Sequence, residues 1–194
     1  MLNSICRTLV LCLIASLGLL AQTASKPQGK PEDARFRDEI RFSLENTKSE
    51  ILRLADAMPA EKYDWRPGQG VRSVGEVYVH IANGNRLLMS LLRPTAPSRE
   101  EFKKMISDNE QKEKSLKGKP QIIGDLKQSF DELEKALDST SAADADRTVK
   151  AFGRDTTVRG IFISITQHAA EHLGQSIAYA RMNGIAPPWS AGGK

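Results

Sequence analysis

Four stretches of this chain set apolar residues at steps of three, four or seven, and no window between turn signals shows convincing two-residue alternation. That period is the signature of amphipathic helices. Phe36, Ile40, Leu44, Ile51, Ala55 and Met58 mark the first stripe. Val77, Ile81, Gly84, Leu88 and Leu91 mark the second. The third runs through Ile122, Leu126, Phe130, Leu133 and Leu137, and the fourth through Ile161, Ile165, His168, His172, Gln175 and Tyr179. Each helix carries one stripe to bury, and four such helices satisfy one another as a bundle. The expectation is an all-α four-helix bundle with little or no sheet.

Punctuation sets the boundaries. Helix 1 is expected over 32–58, ended by Pro59. A loop with the breakers Pro67, Gly68 and Gly70 follows. Ser73 and Glu76 form a capping box, so helix 2 runs from there to about Leu92, stopped by Pro94 and Pro97. Residues 98–119 mix both signs of charge, with Phe102, Met105 and Ile106 as the few apolar anchors. A short helix and then a mobile stretch to Gly118 are expected there, read as a solvated connection. Helix 3 spans about Pro120 to Ser139, Pro being tolerated in a first turn. Residues 140–156 are small and polar. Helix 4 spans about Thr157 to Asn183, with Gly184 suited to its C-terminal cap.

The first 25 residues differ in kind. Arg7 is their one charge, and Leu9 to Ala21 is almost wholly apolar. Thirteen residues fall short of the ~20 that a spanning helix needs. A basic start, a short apolar run and small residues after it describe a secretory signal peptide. Cleavage is expected within 21–26; an uncleaved anchor is the competing reading. Residues 26–31 are a polar linker, and 32–190 the folded domain. No stable membrane span would remain after cleavage, and the protein would be exported, periplasmic or secreted.

Cys6 and Cys12 are the chain's two cysteines, and both lie in that leader. The mature chain then has no thiol, disulfide or thiolate metal ligand. About 169 of the 194 residues remain, enough for one domain with a sizeable core. The formal charge of +4 falls to +3 without Arg7. No run of like charge suggests a nucleic-acid groove, so a nucleic-acid partner is not expected.

The chain holds three histidines. His168 and His172 lie one helical step apart on the inward stripe of helix 4, and His80 falls beside the buried stripe of helix 2. Imidazoles at i and i+4 stand ~6 Å apart at Cβ and can address one ion. A third from a facing helix completes three neutral ligands with open positions, the arrangement of a catalytic divalent site. Hydrogen-bonded core histidines are the plainer alternative. His168 to His172 also reads H-x-x-E-H, as in inverted zinc metalloproteases, with Glu171 as base. Those enzymes take a downstream acidic ligand, and Glu171 is the last acid of this chain. It also lies well off the histidine face, so it reads as a solvent-facing charge.

The stretches DWRPGQGVRSVGEVYVHIANGNRLL and TVRGIFISITQHAAEHLGQSIAYARMNGIAPP resemble the second and last helices of the DinB-like superfamily. The resemblance spans about 32–190. It implies an up-down-down-up bundle, a metal triad at His80, His168 and His172, and a divalent ion such as zinc or nickel. A homodimer is among the implied assemblies. Many members have His-His-Arg-Gly-Gln where this chain has Glu171, His172, Leu173, Gly174 and Gln175; the ligands survive, but substrate contacts of the missing side chains do not carry over. Members of known activity are mainly thiol-dependent transferases and isomerases. The resemblance therefore implies a metal-dependent hydrolase or a transferase using a low-molecular-weight thiol, on a small-molecule substrate. The alternative is a non-catalytic metal-binding module, a sensor or scavenger. Beyond the ligands, Glu76 is a candidate to orient His80, with capping of helix 2 as its plainer role, and Gln175 to bond an imidazole or a substrate, with plain packing as the alternative. Tyr179 is expected in the core and Trp65 at one end of the bundle.

Overall fold

The computed structural model describes residues 31–190. The expected leader, and the expected linker except Pro31, lie outside them. Helix α1 spans Pro31–Ala57. A 3-10 turn, Ala60–Lys62, leads into the loop before α2, Val74–Met89, which continues as a second 3-10 turn, Ser90–Leu92. Then come α3, Arg99–Ser115, and α4, Lys119–Ser139. A single turn of helix, α5 (Ala142–Ala145), precedes strands β1 (Thr148–Ala151) and β2 (Arg154–Thr157). Helix α6, Val158–Met182, follows.

The helices that carry the histidines have a local cause for their starts. Ser73 and Glu76 close the expected capping box on α2, and Thr157 accepts from the Gly160 amide at the head of α6. Both satisfy donors that a helix start leaves orphaned. Gly184, at φ +74°, takes the left-handed position beyond α6.

Helix directions follow from which residues meet. Lys48 Nζ reaches Glu134 at 2.8 Å, and Lys119 Nζ reaches the Met58 carbonyl at 2.9 Å, so α1 and α4 run antiparallel. Gly75 abuts Ile122, and Asn85 Nδ2 donates to Ser129 Oγ at 3.1 Å, so α2 and α4 run parallel. His80 meets His172 and Gly84 meets His168, so α2 and α6 are antiparallel. Phe36 stacks edge-on against Phe162, and Arg53 lies over Trp189, so α1 and α6 are parallel. The order is up-down-down-up, as expected. A parallel pair joined in sequence needs a return path along the bundle, and α3 provides it while packing on α2.

The stripes read from the sequence are the core. Leu44, Ile51, Leu126, Phe130, Leu133, Leu137, Ile161 and Ile165 are all buried. Each such side chain contributes roughly 1.5–3 kcal/mol of transfer free energy.

Two connections differ from expectation. Residues 98–119 hold a 17-residue helix rather than a short one with a mobile tail. Ser98 and Glu101 make a second capping box there, so the charges solvate one face of a defined helix. Residues 140–156 hold a hairpin rather than a featureless connection, with Thr148 opposite Thr157 and Ala151 opposite Arg154. Its two-residue turn is Phe152-Gly153, at φ +50° and +79°. Positive φ at both positions marks a tight hairpin turn that Asn-Gly or Gly-Gly makes readily. A phenylalanine there costs about 1–2 kcal/mol, which is why the turn is hard to foresee. Among the described residues no helix is long and apolar enough to cross a membrane.

Candidate metal centre

The inward stripes of α2 and α6 bring His80, His168 and His172 together. One ligand atom from each lies within 4.8 Å of the others. The ring centroids are 5.1 Å apart for His80 and His168, and 4.6 Å for each of the other two pairs. All three rings are partly buried.

Partners on the far ring nitrogens decide what faces inward. His80 Nδ1 donates to Glu113 Oε1 at 2.7 Å. His172 Nδ1 donates to Gln175 Oε1 at 2.8 Å, and Gln175 Nε2 donates in turn to the Tyr179 hydroxyl at 2.9 Å. Each bond puts the proton on Nδ1 and turns a lone pair on Nε2 toward the centre. The Nε2 atoms of His80 and His168 stand 3.3 Å apart. Two ligands bound tetrahedrally at ~2.0–2.1 Å lie about that far from each other. Without a cation, one of these imidazoles must donate to the other; a cation between them uses both lone pairs. The donor set fits a divalent ion.

Electrostatics favour the neutral, coordinating form. Burial, with His172, His80 and Arg72 nearby, lowers the pKa of His168 to about 4. Burial also lowers His172, aided by His80 and Arg72 and opposed by Gln175 and Glu171. Glu113 behaves oppositely. Burial disfavours its charge, but hydrogen bonds from His80 and Arg72 outweigh that and hold the carboxyl below its ordinary range. Arg72 Nε donates to Glu113 Oε2 at 2.7 Å, so one carboxylate is gripped from both sides.

The sequence offers Glu76 as a cap of α2 and as a candidate partner of His80, and gives Glu113 no role. Glu76 gives one oxygen to the Ser73 amide at 2.8 Å and the other to Arg66 at 3.0 Å, so it caps α2. The carboxylate on His80 comes from α3 instead. Its one legible signal was register: Phe102, Ile106, Asn109 and Glu113 share a face of α3 at steps of four, three and four. Arg72 gave no signal. Gly84 gave one, as a glycine in mid-helix one turn beyond His80. A Cβ there would sit 2.2 Å from His168 Cε1 and 2.7 Å from its Nδ1. The missing side chain is the space the imidazole occupies. His168 Nδ1, pressed against this spot, is buried with no hydrogen-bond partner, so packing rather than a hydrogen bond orients the ring.

Glu171 is exposed and accepts from Gln167 on its own helix at 3.2 Å. Tyr179 is buried, and Trp65 packs edge-on against it, ring centroids 5.5 Å apart. A cavity of about 210 Å³ opens beside the triad, walled in part by His80 and His168.

A family model described as the DinB superfamily matches residues 43–176. The crystal structure of a DinB-like protein from Bacillus cereus superposes with a TM-score of 0.64 at 16% identity, covering 78% of this chain and 95% of that one. A DinB-like protein from Bacillus subtilis gives 0.59 at 18% identity, covering 75% and 92%. No curated protein matches the chain. At these identities the solved structures speak for the fold.

Proposed function

This chain belongs to the DinB superfamily, and from that premise we propose that it is an exported metal-dependent enzyme, binding one divalent ion, zinc or nickel, through His80, His168 and His172. The observation that carries the reading is the convergence of three imidazole nitrogens within 4.8 Å while Glu113 and Gln175 occupy the outer nitrogens of two of them. Outer partners of this kind fix the tautomer and aim of a metal-ligating ring. Export rests on the apolar Leu9 to Ala21 run and its flanks.

An ion held by neutral imidazoles would supply Lewis acidity toward a carbonyl, and toward a water or thiol as nucleophile. The protein's own contribution is positional. Glu113 holds the proton on His80 Nδ1, Gln175 holds the one on His172 Nδ1, and Arg72 keeps Glu113 ionised and in place. No Cys is present after the leader to act as nucleophile. Low-molecular-weight thiols belong mostly to the cytoplasm, so hydrolysis of a small-molecule substrate is preferred over thiol transfer for an exported protein. A cavity reaching the imidazoles favours catalysis over a closed sensor or scavenger site.

Elemental analysis of the protein isolated from its native compartment tests this. About one divalent ion per chain is expected in the wild type, and near none in His168→Ala. Equal metal in both would refute the assignment.

A further inference from the structure

We propose that the cavity between α2, α3 and the tip of the hairpin is a specificity pocket for one alkyl or aryl branch of a small substrate, with Phe152 as its outer wall. The proposal rests on the metal-site reading for what sits at its inner end, and on independent geometry for the rest. His80 and His168 form the inner end, Leu87 and Leu88 one side, and Ile106 and Phe152 the other. Arg72, Asn109 and Glu110 also line it, while two of its other polar groups are committed elsewhere. Asn83 Nδ2 donates to the Asn109 carbonyl at 3.1 Å, and Glu113 is held by His80 and Arg72. Between Leu87, Leu88, Ile106 and Phe152 an entering group meets mainly hydrocarbon, and burial against hydrocarbon is its reward.

Phe152 supplies the second observation. Its backbone occupies the left-handed region at φ +50°, and its side chain is 70% exposed. Burial in this chain does not repay that strained position, and Asn would make the same turn readily. The ring rests edge-on against Phe102 of α3, centroids 5.8 Å apart, and lines the cavity. Strain held at one exposed aromatic beside a candidate site points to use of that ring.

Size limits the occupant. At about 210 Å³ the cavity is smaller than the ~300 Å³ where ligand pockets usually begin. It holds a branch, not a whole substrate. A wider polar cleft of about 810 Å³ shares Arg72, Glu110 and Glu113 with it. The polar part of the molecule lies on that side.

Straight-chain hydroxamic acids, from acetohydroxamate to octanohydroxamate, are titrated by calorimetry into the zinc-loaded protein. Affinity is expected to rise about fourfold per added methylene and then level off as the cavity fills. In Phe152→Asn, which suits the turn, and in Ile106→Gln, the rise flattens while acetohydroxamate binds as before. A flat series in the wild type, or an equally steep one in both variants, overturns the pocket. Benzyl alcohol added to the metal-free protein separates this from the metal reading. Shifts of the Leu87, Leu88 and Ile106 methyl resonances that vanish in Phe152→Asn support the pocket even if zinc does not bind. No shift in the wild type overturns it.

Discussion

The two halves of the bundle are built differently. Between α1 and α4 the interior is hydrocarbon: Leu44, Ile51, Leu54, Phe130, Leu133 and Leu137 are almost fully buried. Charges stay at the rim, where Lys48 pairs with Asp131 and Glu134, and Arg41 with Asp138. Between α2 and α6 the apolar ridge is interrupted by three imidazoles and a glycine, and α3 adds a buried carboxylate. The α1/α4 half gains stability from close packing, which tolerates few voids. The α2/α6/α3 half is also packed, with Val77, Ile81, Ile161 and Ile165 buried, and adds polar groups that hold one another in fixed orientations. The candidate metal site thus lies in one seam of the bundle, and the other is hydrocarbon throughout.

The comparison breaks most sharply if the seams turn out to be coupled. Phe130→Ala should destabilise the fold by about 3–5 kcal/mol, read by urea unfolding, while the folded variant still takes up metal with wild-type affinity. A large loss of affinity in that variant would mean that the seams are one unit. The converse change is Glu113→Gln. It keeps the shape but removes the charge that His80 and Arg72 share, and it should weaken metal binding about 10–100-fold. Competition against a chromogenic chelator measures this, and an unchanged affinity would remove Glu113 from the site.

Gly84 sharpens the contrast further. In the wild type, Gly84→Ala should displace the His168 ring and lower metal affinity. In a His168→Ala background the same substitution meets no ring, and the better helix former should raise stability by up to about 1 kcal/mol. Thermal unfolding of the two pairs distinguishes these outcomes; equal effects in both would show that the glycine does not make room for the imidazole. The smallest effect belongs to the rim. Lys48→Ala removes two ion pairs with partly exposed partners, and should cost no more than about 1 kcal/mol. A larger loss would mean that the α1/α4 half depends on charge as well as packing.

Much of this architecture was legible because it is local. Periodicity at three and four residues marked the four long helices, and Ser73, Pro59 and Gly184 marked their ends. The same periodicity put His168 and His172 on an inward face, since i and i+4 are neighbours on any helix. The hairpin was hidden by its length of four residues per strand and by a turn with Phe where Asn or Gly is usual. Helix α3 was hidden by its charge.

The sequence by itself determined the four long amphipathic helices, their buried faces and the inward position of His168 and His172, because hydrophobic burial and helical spacing act within a few residues of chain. Only the tertiary structure decided which carboxylate serves His80. Glu76 lies one turn away in sequence, yet Glu113, from another helix, makes the bond. A charge is buried only where partners from other elements meet it, and Arg72, His80 and Glu113 become neighbours only once α3 has folded back along α2.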